Sequence, residues 1–254
     1  MKPTHRGRFH YNGQHYDMIH RDLTEDIPFW IGQARKYGSP ALELACGTGR
    51  VTLLLANAGF EVTGIDFSDS MLAQARDKAS QQGINVEWIK ADVRNFDLGR
   101  KFPLVIFPFR SIAELHTLRD LEACLSCVKR HLSPEAGFII DAFNPSLDIL
   151  NRNPKEKHPF AQYPDPDGKG TVIVTHSNVY DAATQVNTIT LFYKLPGRTE
   201  EATEELAMRM HFPQELEALL HYNGFKIEAK YGDYDETPFT PSANVQLTVC
   251  SLRE

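Results

Sequence analysis

The segment Leu42-Glu43-Leu44-Ala45-Cys46-Gly47-Thr48-Gly49-Arg50 constrains this chain more than any other. Residues 41–45 read as a short buried strand, which leads through Gly47 and Gly49 into a helix at 51–58 that Gly59 closes. A strand–turn–helix unit uses glycine where the backbone passes close to a ligand, and the helix start leaves free N–H groups facing it. A tight connection needs the same two glycines, so the strands downstream decide between the readings.

Those strands follow in rhythm. Residues 61–65 read as a second strand, and Ser68 caps a helix whose Met71, Leu72, Ala75 and Ala79 repeat at helical spacing up to Gly83. A third strand is predicted at 85–90, a fourth at 104–107, a helix at 115–131 and a fifth strand at 137–143. Upstream, Pro28 opens a helix that ends near Gly38. Strands separated by helices of this length imply βαβ units and a parallel sheet covered on both faces. The alternation stops near residue 145. Residues 151–170, rich in proline, predict a long irregular loop. A hairpin is predicted at 171–180 and 185–195 around a turn at 181–184, then a strand at 206–212, a helix at 213–222 and strands at 225–231 and 245–252. The expected fold class is therefore α/β: a mostly parallel seven-stranded sheet with helices on both faces, plus a small antiparallel β insert. The expected organisation is an N-terminal helical lid (1–37), a ligand-binding core (38–145), an antiparallel insert that covers substrate or contacts a second copy (146–212), and a returning helix with the last two strands (213–254).

The chain's 254 residues suit one α/β core carrying an insert. Its net charge of −6 argues against a generic nucleic-acid coat or a binder of anionic membranes. Four cysteines cannot staple a chain of this size, which implies a reducing compartment. Cys124 and Cys127 form a CxxC without a second pair at zinc spacing, and they fall on one side of a predicted helix, so they read as core thiols. Residues 1–20 hold no apolar signal-peptide core, and no run approaches the roughly 18 apolar residues of a membrane span. The expected location is cytoplasmic, with no membrane partner.

Three consecutive strands deliver chemistry at their C-terminal ends, the edge where open α/β sheets bind ligands. The first brings the glycine turn, the second Asp66, which follows Gly49 by 17 residues, and the third Asp92. A carboxylate in the place of Asp66 accepts hydrogen bonds from both hydroxyls of a ribose; capping of the Ser68 helix is the competing role, and Asp92 also reads as a plain loop acid. A nicotinamide dinucleotide site requires a third small residue where this chain has Thr52. Glu43 would also repel a pyrophosphate, whereas it suits a ligand bearing an ammonium group. A ribose and a positive charge without phosphate is the pattern of S-adenosylmethionine.

On these residues the sequence resembles the class I S-adenosylmethionine-dependent methyltransferases of the small-molecule branch. The stretches that carry the resemblance are Leu42–Arg50, Val62–Leu72, Ala91–Arg110 and Gly224–Asp235, with Tyr16-Asp17 and Asp26 to Trp30 fitting the N-terminal helical region. It spans most of residues 10–252, and the position of the insert resembles the antiparallel subdomain of sugar N,N-dimethyltransferases, where it contributes to dimers. The resemblance implies a Rossmann-like core, S-adenosylmethionine as cofactor with S-adenosylhomocysteine as product, and no metal. It implies that Glu43 lies near the methionine amino end, indirectly or through water. It implies that Ala45, Gly47, Thr48 and Gly49 offer backbone to the methionine moiety, and that Asp66 holds the ribose diol. Phe67 and Met71 would cover one adenine face, although Met71 fits core packing equally well. Asp92 would accept from the adenine amino group and Val93 would give a backbone contact. Phe107 would lie under the sulfonium and Tyr16 would close the site. Ala45 stands where many relatives have glycine.

Methyl transfer from a sulfonium is an in-line displacement with a good leaving group, so positioning and exclusion of water supply much of the rate. Phe107-Pro108-Phe109-Arg110 replaces the Asn/Asp-Pro-Pro-Tyr type of motif that marks amino-methylation of nucleic-acid bases, which argues for a small-molecule acceptor and against DNA or RNA. The segment that follows holds the candidate catalytic residues Glu114, a binder of ammonium or a base, and His116, a base. Glu114 also reads as a helix-start acid and His116 as an exposed helix histidine. Arg110, Asn144, His176 and Arg209 are the candidate substrate-binding residues. Acids near the methyl site suit a cationic acceptor and favour N- over O-methylation. A non-catalytic cofactor-binding scaffold and a nicotinamide oxidoreductase are the competing functions.

Overall fold

A computed structural model describes residues 9–10 and 12–253 of the chain. Its central sheet has seven strands in the order β10-β11-β5-β4-β1-β2-β3. Five of them, β1 (Ala41–Leu44), β2 (Val62–Asp66), β3 (Glu87–Lys90), β4 (Phe102–Phe107) and β5 (Leu132–Phe143), run parallel. Strand β11 (Val245–Leu252) enters antiparallel between β5 and β10 (Phe225–Tyr231). The alternation of apolar residues sets the two faces. On β4, Val105 and Phe107 turn to a core shared with α5 (Leu118–His131) and α7 (Pro213–Tyr222), while Leu104 and Ile106 turn to one shared with α2 (Ile27–Tyr37) and α3 (Arg50–Asn57). Each large apolar side chain buried this way, such as Trp30 or Phe138, contributes roughly 1.5–3 kcal/mol. Cys124 and Cys127 lie buried and free in the first of these cores.

The helices start and stop where the sequence signals. Ser68 caps α4 (Asp69–Gln82) by accepting the Met71 N–H, and Gly83 closes it in the left-handed region at φ 66°. The helix predicted from residue 115 begins instead at Leu118. Thr117 takes the cap, accepting the Asp120 N–H at 3.1 Å, and Ser111–Glu114 form a separate 3-10 turn.

Residues after β5 differ from the expectation of a long loop. A short helix α6 (Leu147–Leu150) precedes β6 (His158–Pro164), the edge of a four-stranded antiparallel sheet ordered β6-β7-β8-β9. Pro159 and Pro164 hid this strand; both are tolerated because β6 pairs on one side only, with β7 (Thr171–Asp181). Strand β8 is Val186–Lys194 and β9 is Ala202–Arg209. Strand β9 begins before its predicted start because an inward position carries Glu204, which breaks the apolar alternation. That buried carboxylate accepts the backbone N–H groups of Phe9 at 2.5 Å and His10 at 2.9 Å.

The N-terminal segment thereby joins the two sheets. Phe9 stacks on Tyr193 within the core of the smaller sheet, and His15 shares a 3.0 Å hydrogen bond with the Tyr163 hydroxyl. At the other end of α1 (Gly13–His20), Asp17 accepts from Thr48 Oγ1 at 2.6 Å, Lys78 Nζ at 2.9 Å and Gln74 Nε2 at 2.9 Å. Helix α2 is fixed to α3 by a bidentate pair: Asp26 accepts from Arg50 at 2.6 and 2.7 Å and from the Trp30 indole at 3.0 Å. The Asp26 carboxylate is almost fully buried, so removing its partner is costly. Arg50→Leu should lower unfolding free energy by about 3–5 kcal/mol in urea titrations, far more than loss of an exposed pair such as Lys169–Asp167.

Candidate active site

The C-terminal tips of β1, β2, β3 and β4 open onto a cavity of about 270 Å³. The turn after β1 shapes its floor. Ala45 at φ 51° and Gly47 at φ 55° both lie in the left-handed region, which turns main chain rather than side chains toward the space. Gly49, at φ 77°, is the N-cap of α3; a Cβ there would meet the Trp88 ring at 2.5 Å, so glycine is required by packing as well as by dihedral.

Asp66 locks this turn to the next unit. Its Oδ2 accepts the Gly47 N–H at 2.9 Å and its Oδ1 the Ser68 N–H at 2.8 Å. An ionised carboxylate offers about four acceptor positions, so both oxygens keep capacity for further donors from the cavity they line. Beyond Asp66, Phe67, Met71 and Val93 make an apolar slot that ends at Asp92. Exposed main chain, a buried carboxylate and an apolar slot in that order match an amino-acid end, a ribose and a flat base. S-adenosylmethionine fits this arrangement.

The family described as "Methyltransferase domain" matches residues 41–135, the stretch from β1 into β5 that builds this cavity. Residues 41–135 are thus a methyltransferase domain, and the chain is an S-adenosylmethionine-dependent methyltransferase. It is similar to the Bacillus subtilis (strain 168) protein YqeM, at 28% identity over 91% of this chain and 92% of that one. It is 26% identical to the dTDP-3-amino-3,4,6-trideoxy-alpha-D-glucopyranose N,N-dimethyltransferase of Streptomyces venezuelae, over 50% of this chain and 58% of that protein's length. The fold is that of the CcbJ methyltransferase from Streptomyces caelestis, with a TM-score of 0.79, 20% identity and coverage of 98% and 100% of the two chains.

In this methyltransferase the far wall of the cavity is aromatic and acidic. Phe107, buried at the end of β4, and Phe109 stand opposite Tyr16 and His10 of the N-terminal segment, with Glu114 beside them. Tyr16 packs edge-on against His20 at 4.4 Å and against Phe109 at 6.5 Å between ring centroids. Burial lifts the Tyr16 phenol well above its ordinary value, and the Glu114 and Asp66 charges add to that, whereas Arg50 opposes it. Burial also lowers His10 to about 4 and His20 to about 3, so both imidazoles are neutral near pH 7. The Phe109–Arg110 turn that carries this wall holds two non-glycine residues at φ 55° and 57°, a conformation costing roughly 1–2 kcal/mol per residue. His10, Phe109 and the Glu205 to Met208 stretch of β9 are wall residues that sequence reasoning did not select. For Phe109 the adjoining Phe-Pro-Phe-Arg motif was a usable signal; for the others only the tertiary fold of the smaller sheet brings them here.

Several candidates sit elsewhere. Glu43 faces α3 rather than the cavity, because strand alternation sets it beside Ala41 on that side, and its carboxylate accepts from Thr52 Oγ1. The Thr48 hydroxyl donates to Asp17 and does not line the cavity. Asp92 reaches the rim but is paired with Arg94 at 2.6 Å, so an adenine amino group would share it with a guanidinium. His116 stands at the wall with its Nε2 2.7 Å from the Ala207 carbonyl, so Nε2–H donates there and the ring's lone pair lies on Nδ1. Arg209 supports the same junction, donating to the His116 carbonyl at 3.2 Å and to Glu215 at 2.7 Å. Asn144 donates to the Ala243 carbonyl at 2.8 Å and closes a loop outside the cavity. His176 packs with His158 and Phe160 on the smaller sheet, also away from it. Arg110 turns behind Phe109 toward Asp141. Glu114 lies in the 3-10 turn, ahead of the cap of α5, which removes the helix-start role. Met71 is 4% exposed, as core packing requires, and also lines the slot. Among the described residues no His/Cys/Asp/Glu group could hold a metal ion and no helix is long and apolar enough to cross a membrane.

Asp66→Ala should weaken S-adenosylhomocysteine binding at least tenfold in calorimetry, since it removes charge-assisted hydrogen bonds of roughly 1.5–3 kcal/mol each and unlocks the glycine turn. Glu43 gives a pH signature. Burial pushes its carboxyl from 4.5 to about 8, against the Thr52 hydrogen bond and Arg50. Between those values the folded chain holds a proton that the unfolded chain has lost, so this group's contribution falls as pH rises and levels off above about 8. Glu43→Gln should gain stability over the native chain across pH 5–8 by up to about 1.4 kcal/mol per pH unit, read from urea midpoints.

Proposed function

We propose that this methyltransferase transfers its methyl group to a nitrogen of a small-molecule amine. The observation that carries the reading is the placement of Glu114 in the same cavity wall as Tyr16, Phe107 and Phe109. Aromatic faces and a carboxylate around one space attract a cation, whether a sulfonium or an ammonium group. The name of the Streptomyces venezuelae relative, an amino-sugar N,N-dimethyltransferase, supports the same class of acceptor. The four cysteines are free and buried, which suits work in a reducing compartment such as the cytoplasm.

Bound S-adenosylmethionine supplies an electrophilic methyl group activated by its sulfonium. The chain's own residues do the rest by positioning. Asp66 holds the ribose diol, and main chain at Ala45 and Gly47 holds the amino-acid end, which sets the direction of the S–CH3 bond. Tyr16 and His10, delivered by the N-terminal segment, close the cavity and exclude water. Glu114 accepts a hydrogen bond from the acceptor amine and so points its lone pair at the methyl carbon. The amine loses its proton to Glu114 or to solvent.

Methyl-labelled cofactor offered to a panel of small amines and phenols tests this reading. Labelled amine is expected, and Glu114→Gln should lower kcat/KM for it at least tenfold while leaving S-adenosylhomocysteine affinity within threefold. Labelling of phenols with every amine left untouched would overturn the preference for nitrogen.

A further inference from the structure

Among the described residues Asp141 is the most fully buried acid outside the cavity, with no exposed surface. It interrupts a run of Phe138, Ile139, Ile140 and Ala142 on β5, where an unpaired charge is costly. Strand alternation turns it toward the α2–α3 side at the point where β4 ends, one residue beyond the Phe107–Ile140 pairing. Its Oδ2 accepts two donors from distant segments: the Phe109 N–H at 2.9 Å and the Tyr234 hydroxyl at 2.9 Å. Its Oδ1 faces Arg110 Nε at 3.8 Å, and neither atom has a hydrogen-bond partner among the described residues. Burial raises the Asp141 carboxyl while Arg110, Tyr234 and the Phe109 N–H lower it, so the guanidinium keeps company with a carboxylate it does not quite touch.

The residues that Asp141 grips are the strained ones. Phe109 and Arg110 occupy two successive left-handed positions without glycine, a turn that persists only where its surroundings hold it. The turn presents Phe109 to the cavity and leads directly into the 3-10 turn that carries Ser111 and Glu114. Tyr234 brings the loop between β10 and β11 to the same carboxylate, so the C-terminal part of the chain braces this wall from behind.

We propose that Asp141 is a positioning residue: together with Tyr234 it holds the left-handed Phe109–Arg110 turn, and through that turn it sets the acceptor wall without touching either ligand. The cofactor half of the site, built on β1 and β2, does not depend on this grip. The inference rests on the acceptor lying against Phe109 and Glu114, but not on that acceptor being an amine.

Hydrogen exchange followed by mass spectrometry, on the full chain with S-adenosylhomocysteine, tests it in Asp141→Ala, Asp141→Asn and Tyr234→Phe. In Asp141→Ala, peptides spanning 108–114 should exchange at least tenfold faster, with those spanning 45–52 unchanged. Asparagine keeps an acceptor oxygen for the Phe109 N–H and should restore most of the protection, and Tyr234→Phe should fall between. For any acceptor that the native protein methylates, Asp141→Ala should raise its KM at least tenfold, while S-adenosylhomocysteine affinity stays within threefold. Unchanged exchange at 108–114 in Asp141→Ala, or equal loss at 108–114 and 45–52 in all three variants, would overturn the proposal. Failure of amines as acceptors would leave the exchange result standing, so the two readings fail separately.

Discussion

One carboxylate, Asp66, ties together the parts that make this a ligand-binding edge. It ends β2 in the sheet and accepts an N–H from the glycine turn on one side and from the cap of α4 on the other, at 2.9 and 2.8 Å. The turn itself is intrinsically unfavourable, with Ala45 and Gly47 in left-handed conformations, and charge-assisted hydrogen bonds to backbone N–H groups offset that cost. The carboxylate that stabilises the turn also lines the cavity, so on the proposed function structural lock and ligand hook are one group. A side chain with two such duties leaves little freedom: shortening, lengthening or neutralising it disturbs both.

The second half of the site depends on elements far apart in sequence. The N-terminal segment is pinned at one end by Glu204 of β9 and at the other by Asp17, which collects donors from the glycine turn and α4. Tyr16 and His10 thus reach the cavity only because the smaller sheet and the larger one hold the same segment from two sides. The junction of His116, Ala207 and Arg209 fastens β9 to the 3-10 turn next to Glu114. The glycine-turn side of the cavity is therefore local to β1–β3, whereas the opposite wall is a meeting of the N-terminal segment, the β4 exit and the smaller sheet.

That division explains what could be read from the residues alone. The parallel core and the caps at Ser68 and Gly83 rest on local patterns, and Ala45, Gly47, Phe67 and Val93, which the family resemblance assigns to the cofactor, fall around one space. Glu43 shows the limit of a local pattern. Its position in the motif places it near the ligand's amino end, indirectly or through water, and only the strand's alternation tells that its side chain turns to Thr52. The insert was harder. Prolines masked β6, and buried Glu204 masked the start of β9, because both break the apolar alternation for reasons of edge position and long-range hydrogen bonding. His176 and Arg209 were placed by strand type without knowledge of facing, and neither lines the cavity. Nothing in sequence spacing links Asp141 with Tyr234 or Phe109, 93 and 32 residues away.

The most direct test of this account is a crystal structure of the full chain with S-adenosylhomocysteine. Both ribose hydroxyls should lie within hydrogen-bond distance of Asp66, with the base between Met71 and Val93 and the sulfur beside Phe107. A nucleoside bound away from the β1–β3 tips, or one whose ribose faces solvent and makes no contact with Asp66, would contradict it.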